Sequence, residues 1–123
     1  MSTHVNDLAS AAVVAAGFAP AVITDDEAGP AVDLAQGDGA CFAVQLVGSV
    51  SSGDSVAGAI EESADNDTWD AVSGATFATA TAAGVQTIRF TRTRRYVRWV
   101  GTVAGSDPSV AVAVVIGETK KLF

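Results

Sequence analysis

The first 88 residues contain no lysine and no arginine. The seven basic residues, Arg89, Arg92, Arg94, Arg95, Arg98, Lys120 and Lys121, all follow them. Twelve of the fourteen acids precede Arg89, and only Asp107 and Glu118 come after it. The chain therefore divides into a part of formal charge −12 and a part of +5, which gives its net −7. Such a division favours contacts between the two parts, with further copies, or with a charged protein partner. It disfavours nucleic acid, because an acidic body repels phosphates.

Histidine and cysteine are almost missing. His4 stands alone near the start, so no Ser-His-Asp or Cys-His arrangement has an internal histidine to use. Cys41 is the single cysteine, which excludes an intrachain disulfide and a thiolate metal cage. Its neighbours Ala40 and Phe42 make it read as a small buried hydrophobe. Glu61 and Glu62 are adjacent, so on a strand they face opposite ways and cannot share a substrate. No glycine-rich loop follows a strand and opens a helix. The sequence thus predicts no catalytic residue, no metal and no cofactor, and an enzyme is not expected. No apolar run reaches the ~18 residues of a membrane span. No basic segment opens the chain as a secretory leader would. A soluble protein made in a reducing cytoplasm is the expectation, with no membrane partner.

Large apolar side chains are scarce too. The chain is 49% hydrophobic, but 24 residues are Ala and 18 are Val, against five Phe, two Trp and one Tyr. Its 123 residues suit one domain. Burial returns about 25 cal/mol per Å², and an alanine methyl offers few Å². Domains with thin cores recover stability by associating. A homo-oligomer is therefore expected.

What is present is strand and turn signal. Short apolar runs at Ala21–Thr24, Ala31–Leu34, Cys41–Val47, Val56–Glu62, Thr68–Val72, Val85–Thr91, Arg95–Val103 and Val110–Ile116 are separated by Gly, Asp, Asn, Ser and Pro. Ala11–Ala16 is ambiguous between strand and helix, and Ala75–Ala83 is a Thr/Ala-rich stretch without a clear period. Gly37-Asp38-Gly39 reads as a turn, and Gly74 and Gly117 read as strand ends. The pattern predicts an all-β fold. This would be an antiparallel β-sandwich or barrel of about seven to nine short strands, with little or no helix. Residues 1–8 are expected to form a flexible N-terminal segment, 9–117 the sandwich, and 118–123 a basic C-terminal tail.

Alternation in Arg95–Val103 puts Val97, Trp99, Gly101 and Val103 on one face. Val97 and Trp99 are the expected core anchors, joined by Phe42 and by Trp69, which is expected to fold over its turn into the core. Tyr96 and Arg98 take the other face, beside Arg92, Arg94 and Arg95. The arginine cluster fits a solvated hairpin tip or a salt-bridged protein interface. Arginine suits the interface, because its planar fork meets carboxylates at two points. Glu61–Asp67 superficially resembles a calcium loop but lacks the required Gly and closing Glu, so a hairpin turn capped by its own Asx side chains is expected.

Several segments in order carry a resemblance. Ala19–Val22 precedes an acidic turn and Ala31-Val32-Asp33-Leu34. The apolar strand Cys41–Val47 follows, then Glu62-Ser63-x-Asp65-x-x-x-Trp69-x-x-Val72. Arg94-Arg95-Tyr96-Val97-Arg98 leads to Thr102-Val103-Ala104-Gly105 and a closing apolar strand ending at Gly117. Together these resemble small proteins encoded beside the capsid genes of tailed phages and prophages. The chain departs from that pattern at Ala75–Gly84 and at Lys120-Lys121. The resemblance implies a β-rich virion component on the capsid surface, made in the host bacterial cytoplasm, that decorates or cements the head. Its partners would be the major capsid protein and further copies of itself, a trimer by preference. In that reading Arg92, Arg94, Arg95, Arg98, Lys120, Lys121 and Phe123 meet neighbouring subunits. The alternative from another class is a receptor- or glycan-binding module of a head spike or tail, for which Trp69 and Trp99 are the candidate platforms.

Overall fold

A computed structural model describes residues 12–35 and 37–120. It holds nine strands: β1 (Ala12–Ile23), β2 (Glu27–Ala28), β3 (Val32–Asp33), β4 (Gly37–Val50), β5 (Ser55–Ser63), β6 (Asp70–Thr76), β7 (Gly84–Thr91), β8 (Tyr96–Ala104) and β9 (Val110–Lys120). They form two antiparallel sheets. The first runs β1-β9-β4-β7; the second runs β2-β8-β5-β6, with β3 also paired to β8. There is no helix among the described residues. The fold is an all-β sandwich, as the alternation predicts.

Each central strand sends every second residue inward. β9 contributes Val110, Val112, Val114 and Ile116; β4 contributes Cys41, Ala43 and Val47; β8 contributes Val97 and Trp99. Trp99 is the largest fully buried side chain. Its indole lies 5.0 Å, centroid to centroid, from the Phe18 ring. Two glycines leave room for it. A Cβ at Gly101 would enter the Trp99 ring, and one at Gly58 would meet Trp99 Nε1 and Gln45 Oε1. Trp99 Nε1–H donates to Gln45 Oε1 at 3.0 Å, Gln45 Nε2–H to Gln86 Oε1 at 2.8 Å, and Gln86 Nε2–H to the Ala78 carbonyl at 2.8 Å. A polar chain therefore runs from the buried indole out to the surface at Gln86 and Ala78, satisfying the buried Gln45 on the way.

Several boundaries differ from the sequence expectation. β1 is one strand, not two, because Gly17 and Pro20 sit at its register irregularities between Ala16 and Phe18 and between Phe18 and Ala21. A sheet edge tolerates such bulges and a proline. Gly37–Gly39 opens β4 instead of turning; the Gly39 N–H donates to a carboxylate oxygen of Glu118 at 3.0 Å. Gly74 (φ 74°) bends β6 without ending it. The Thr/Ala-rich stretch supplies core: Ala75 and Phe77 are buried, and Ala80 exchanges backbone hydrogen bonds with Val56. β9 passes through Gly117 to Lys120, so the expected tail begins inside a strand, with Glu118 fully buried. The expected flexible segment 1–8 lies outside the described residues.

Two expected anchors are not in the core. Phe42 belongs to the outward parity of β4, and its ring lies over Gly117 on the outer face of the first sheet. Trp69 is half-buried and packs on Arg98 rather than inside.

Candidate functional site

The arginine cluster spans the β7–β8 connection and β8, which carries the chain from the first sheet to the second. The interface expectation placed its carboxylate partners on a neighbouring subunit. The structure instead pairs all four arginines with acids of the same chain. Arg92 meets Glu118, Arg94 meets Asp70, Arg95 meets Asp33, and Arg98 meets Glu61. Three of these pairs set a late base on an early acid, and the fourth, Arg92 with Glu118, lies within the late part.

Arg92 is the most enclosed. Its side chain is 11% exposed and that of Glu118 0%. It also donates to the carbonyls of Leu34, Gly37 and Arg94. Glu118 in turn accepts from the Gly39 N–H and, at 3.4 Å, from the Cys41 thiol. This knot ties the end of β9 to the start of β4 and to the β7–β8 connection. Arg92 is therefore a structural residue and leaves the interface set.

The other three stand on the outer side of the second sheet. Arg98 Nε–H donates to Glu61 Oε1 at 2.8 Å, and its guanidinium lies 4.4 Å over the Trp69 ring. Arg95 donates to Asp33 at 2.9 and 2.7 Å through Nε and Nη2, and stands 5.2 Å over Tyr96. The Arg95 bond, helped by the Ala35 N–H, holds the Asp33 carboxyl down at about 2. Arg94 is half-exposed beside Asp70. The resulting strip is Arg94, Arg95, Tyr96, Arg98 and Trp69, with each guanidinium steadied by one carboxylate. Guanidinium carries five donors, so N–H groups remain for a partner. Lys121 and Phe123 lie outside the described residues, as does the side chain of Lys120, whose backbone pairs with Gly37.

No family model matches this chain, and no curated protein matches it significantly.

Other candidates resolve into structure. Asp65 Oδ1 accepts the N–H groups of Asp67 and Thr68 and the Ser63 hydroxyl, so the acidic stretch is an Asx-capped turn. Among the described residues, no three His, Cys, Asp or Glu are grouped to hold a metal. Trp99 is sealed in the core, and Trp69 is covered by Arg98, which removes one glycan platform and screens the other. Cys41 is buried beside Glu118, and burial first, then that carboxylate, pushes its thiol up to about 12. Native protein at pH 8 is expected to be inert to a thiol reagent, because the thiolate is the nucleophile. The same protein in denaturant reacts at once. Fast native labelling would show that the β4–β9 end opens freely.

Proposed function

We propose that this protein is a structural component of a phage head that binds across neighbouring capsid subunits. The observation that carries it is the arginine and aromatic strip on the second sheet. Trp, Tyr and Arg are the residues that dominate binding at protein interfaces. Here they are already ordered, Arg95 by Asp33 and Tyr96, Arg98 by Glu61 and Trp69. Ordering a free side chain on docking costs about 0.5–1.5 kcal/mol, and a pre-ordered strip avoids much of that. The order of short motifs that resembles capsid-adjacent phage proteins supports the same reading. So does the lack of an internal histidine or cysteine cluster in the sequence. The work is mechanical: many weak contacts on a symmetric lattice add up, so modest affinity per copy suffices.

The test mixes purified protein with capsids that lack it. Binding is expected at low salt and weakens as salt rises, since the strip is charged and solvent-facing. Arg95→Ala with Arg98→Ala lowers occupancy while the fold persists. Absence of binding at low salt would remove the proposal.

A further inference from the structure

The opposite side of the sandwich has different chemistry. The outer face of the first sheet is apolar across β1, β9 and β4 and turns polar along the β7 edge, where Thr87, Arg89 and Thr91 follow Val85. Val14, Val22, Leu46 and Val85 are 58%, 64%, 42% and 65% exposed there. Phe42 and Val44 fill its centre, opposite Gly117 and Val115 of β9. Arg89 is the single charged residue among the described outward positions of β1, β9, β4 and β7, and it has no ion pair among the described residues. An antiparallel sheet facing water ordinarily alternates, apolar inward and polar outward. Here β9 is apolar on both faces from Val110 to Gly117, as a strand with protein on both sides is.

We propose that this face stacks on the same face of a second copy. Charge selects the occupant. The chain carries net −7, so two copies repel over most of their surface, and this face, whose one described charge is the cation Arg89, is where that repulsion is least. Shape agrees. Ala111 and Ala113 of β9, with Gly48, floor a depression of about 320 Å³ between Val22 and Leu46. A two-fold pairing sets Leu46 of each copy over the depression of the other, the self-complementary relation of an isologous interface. Size sets the strength. Four strands at about 4.8 Å, over the roughly 20 Å from Ala111 to Gly117, give about 400 Å² per copy in projection. Doubled, that is about 800 Å², below the roughly 1,200 Å² where stable specific interfaces begin, so the pair is a weak, transient one that responds to concentration. Sheets packed this way lie about 10 Å apart. A face that stacks on itself closes at two copies, which departs from the trimer that the phage resemblance implies. The pairing needs no shell and leaves the arginine strip on the far side free to bind one.

Sedimentation velocity over a wide concentration range tests it. The expected result is a monomer that becomes a dimer as concentration rises, undiminished by salt, because apolar contact is not screened. Leu46→Glu is expected to weaken the dimer by at least about tenfold. Val85→Lys serves as a second variant, and circular dichroism checks that both fold. Arg98→Ala leaves the dimer unchanged. A monomer at every concentration, a trimer, or a dimer indifferent to both variants overturns the proposal. If the protein stays monomeric while Leu46→Glu abolishes capsid binding, the face belongs to the shell and the pairing is wrong. If the dimer forms but no capsid binds, the shell reading fails and the pairing stands.

Discussion

Glu118→Leu is expected to lower stability by about 3–5 kcal/mol, the range for breaking a buried ion pair by removing one partner. Small domains hold only about 5–15 kcal/mol in total, so the variant sits near the edge of folding. The loss has identifiable parts. Arg92, 11% exposed, keeps its charge and loses its carboxylate. The buried Gly39 N–H loses the oxygen it bonds at 3.0 Å. Leucine replaces the volume and none of these interactions. Urea unfolding followed by tryptophan emission measures the change. A loss below about 1 kcal/mol would class the pair with exposed bridges, which are worth about that or less.

The partner substitution sharpens the expectation. Arg92→Leu leaves Glu118 unpaired and frees the carbonyls of Leu34, Gly37 and Arg94. Arg92→Leu combined with Glu118→Leu removes both charges, so its loss is expected to be smaller than the sum of the two single losses. It does not return to the parent level, because those carbonyls and the Gly39 N–H lose the hydrogen bonds that Arg92 and Glu118 supply. Arg95→Ala offers a contrast, since Arg95 and Asp33 are each about half in solvent and their bridge adds little to stability.

Glu118 marks the boundary between what alternation along this chain reveals and what charge conceals. The β-class was legible because period-two alternation and turn residues recur along the chain. Val97 and Trp99 were legible for the same reason. The same parity, carried two residues past Ile116, places Glu118 inward, yet its charge and the adjoining lysines made the segment look like a tail. Parity also groups Gln45 with Cys41, Ala43 and Val47, and sets Phe42 on the other face, which is why Phe42 is not a core anchor. Trp69 follows a turn, where alternation has no phase, so its packing on Arg98 was out of reach. The carboxylate partners of the arginines were equally hidden. Arg95 and Asp33 are 62 positions apart and meet only because β3 pairs with β8. The apolar outer face of the first sheet had a sequence signal, the unbroken VAVAVVI of β9.

Trp99→Ala is expected to cost at least as much as Glu118→Leu. Deleting a fully buried tryptophan costs about 3–5 kcal/mol in transfer and cavity terms. Trp99 is 0% exposed, and its neighbours are held by strand pairing on both sides, so the space cannot collapse easily. Gln45 adds to the loss. Its Oε1 takes the indole N–H, while its Nε2 remains committed to Gln86. Without the indole, a buried acceptor goes unsatisfied, worth about 1–3 kcal/mol unless water enters the cavity. Trp99→Phe separates the two contributions, since it keeps an aromatic ring and removes the donor. Gln45→Leu in the Trp99→Phe background then recovers part of the loss if the orphaned acceptor matters. Trp69→Ala provides the comparison. A cation–π contact at a partly exposed site is worth about 0.5–1 kcal/mol, so its loss is expected to be several times smaller. With Trp69 replaced by Phe, the remaining emission comes from Trp99 and is expected to be blue-shifted and protected from quencher. Emission near that of free tryptophan would mean that the indole is wet, and the core built around it would have to be redrawn.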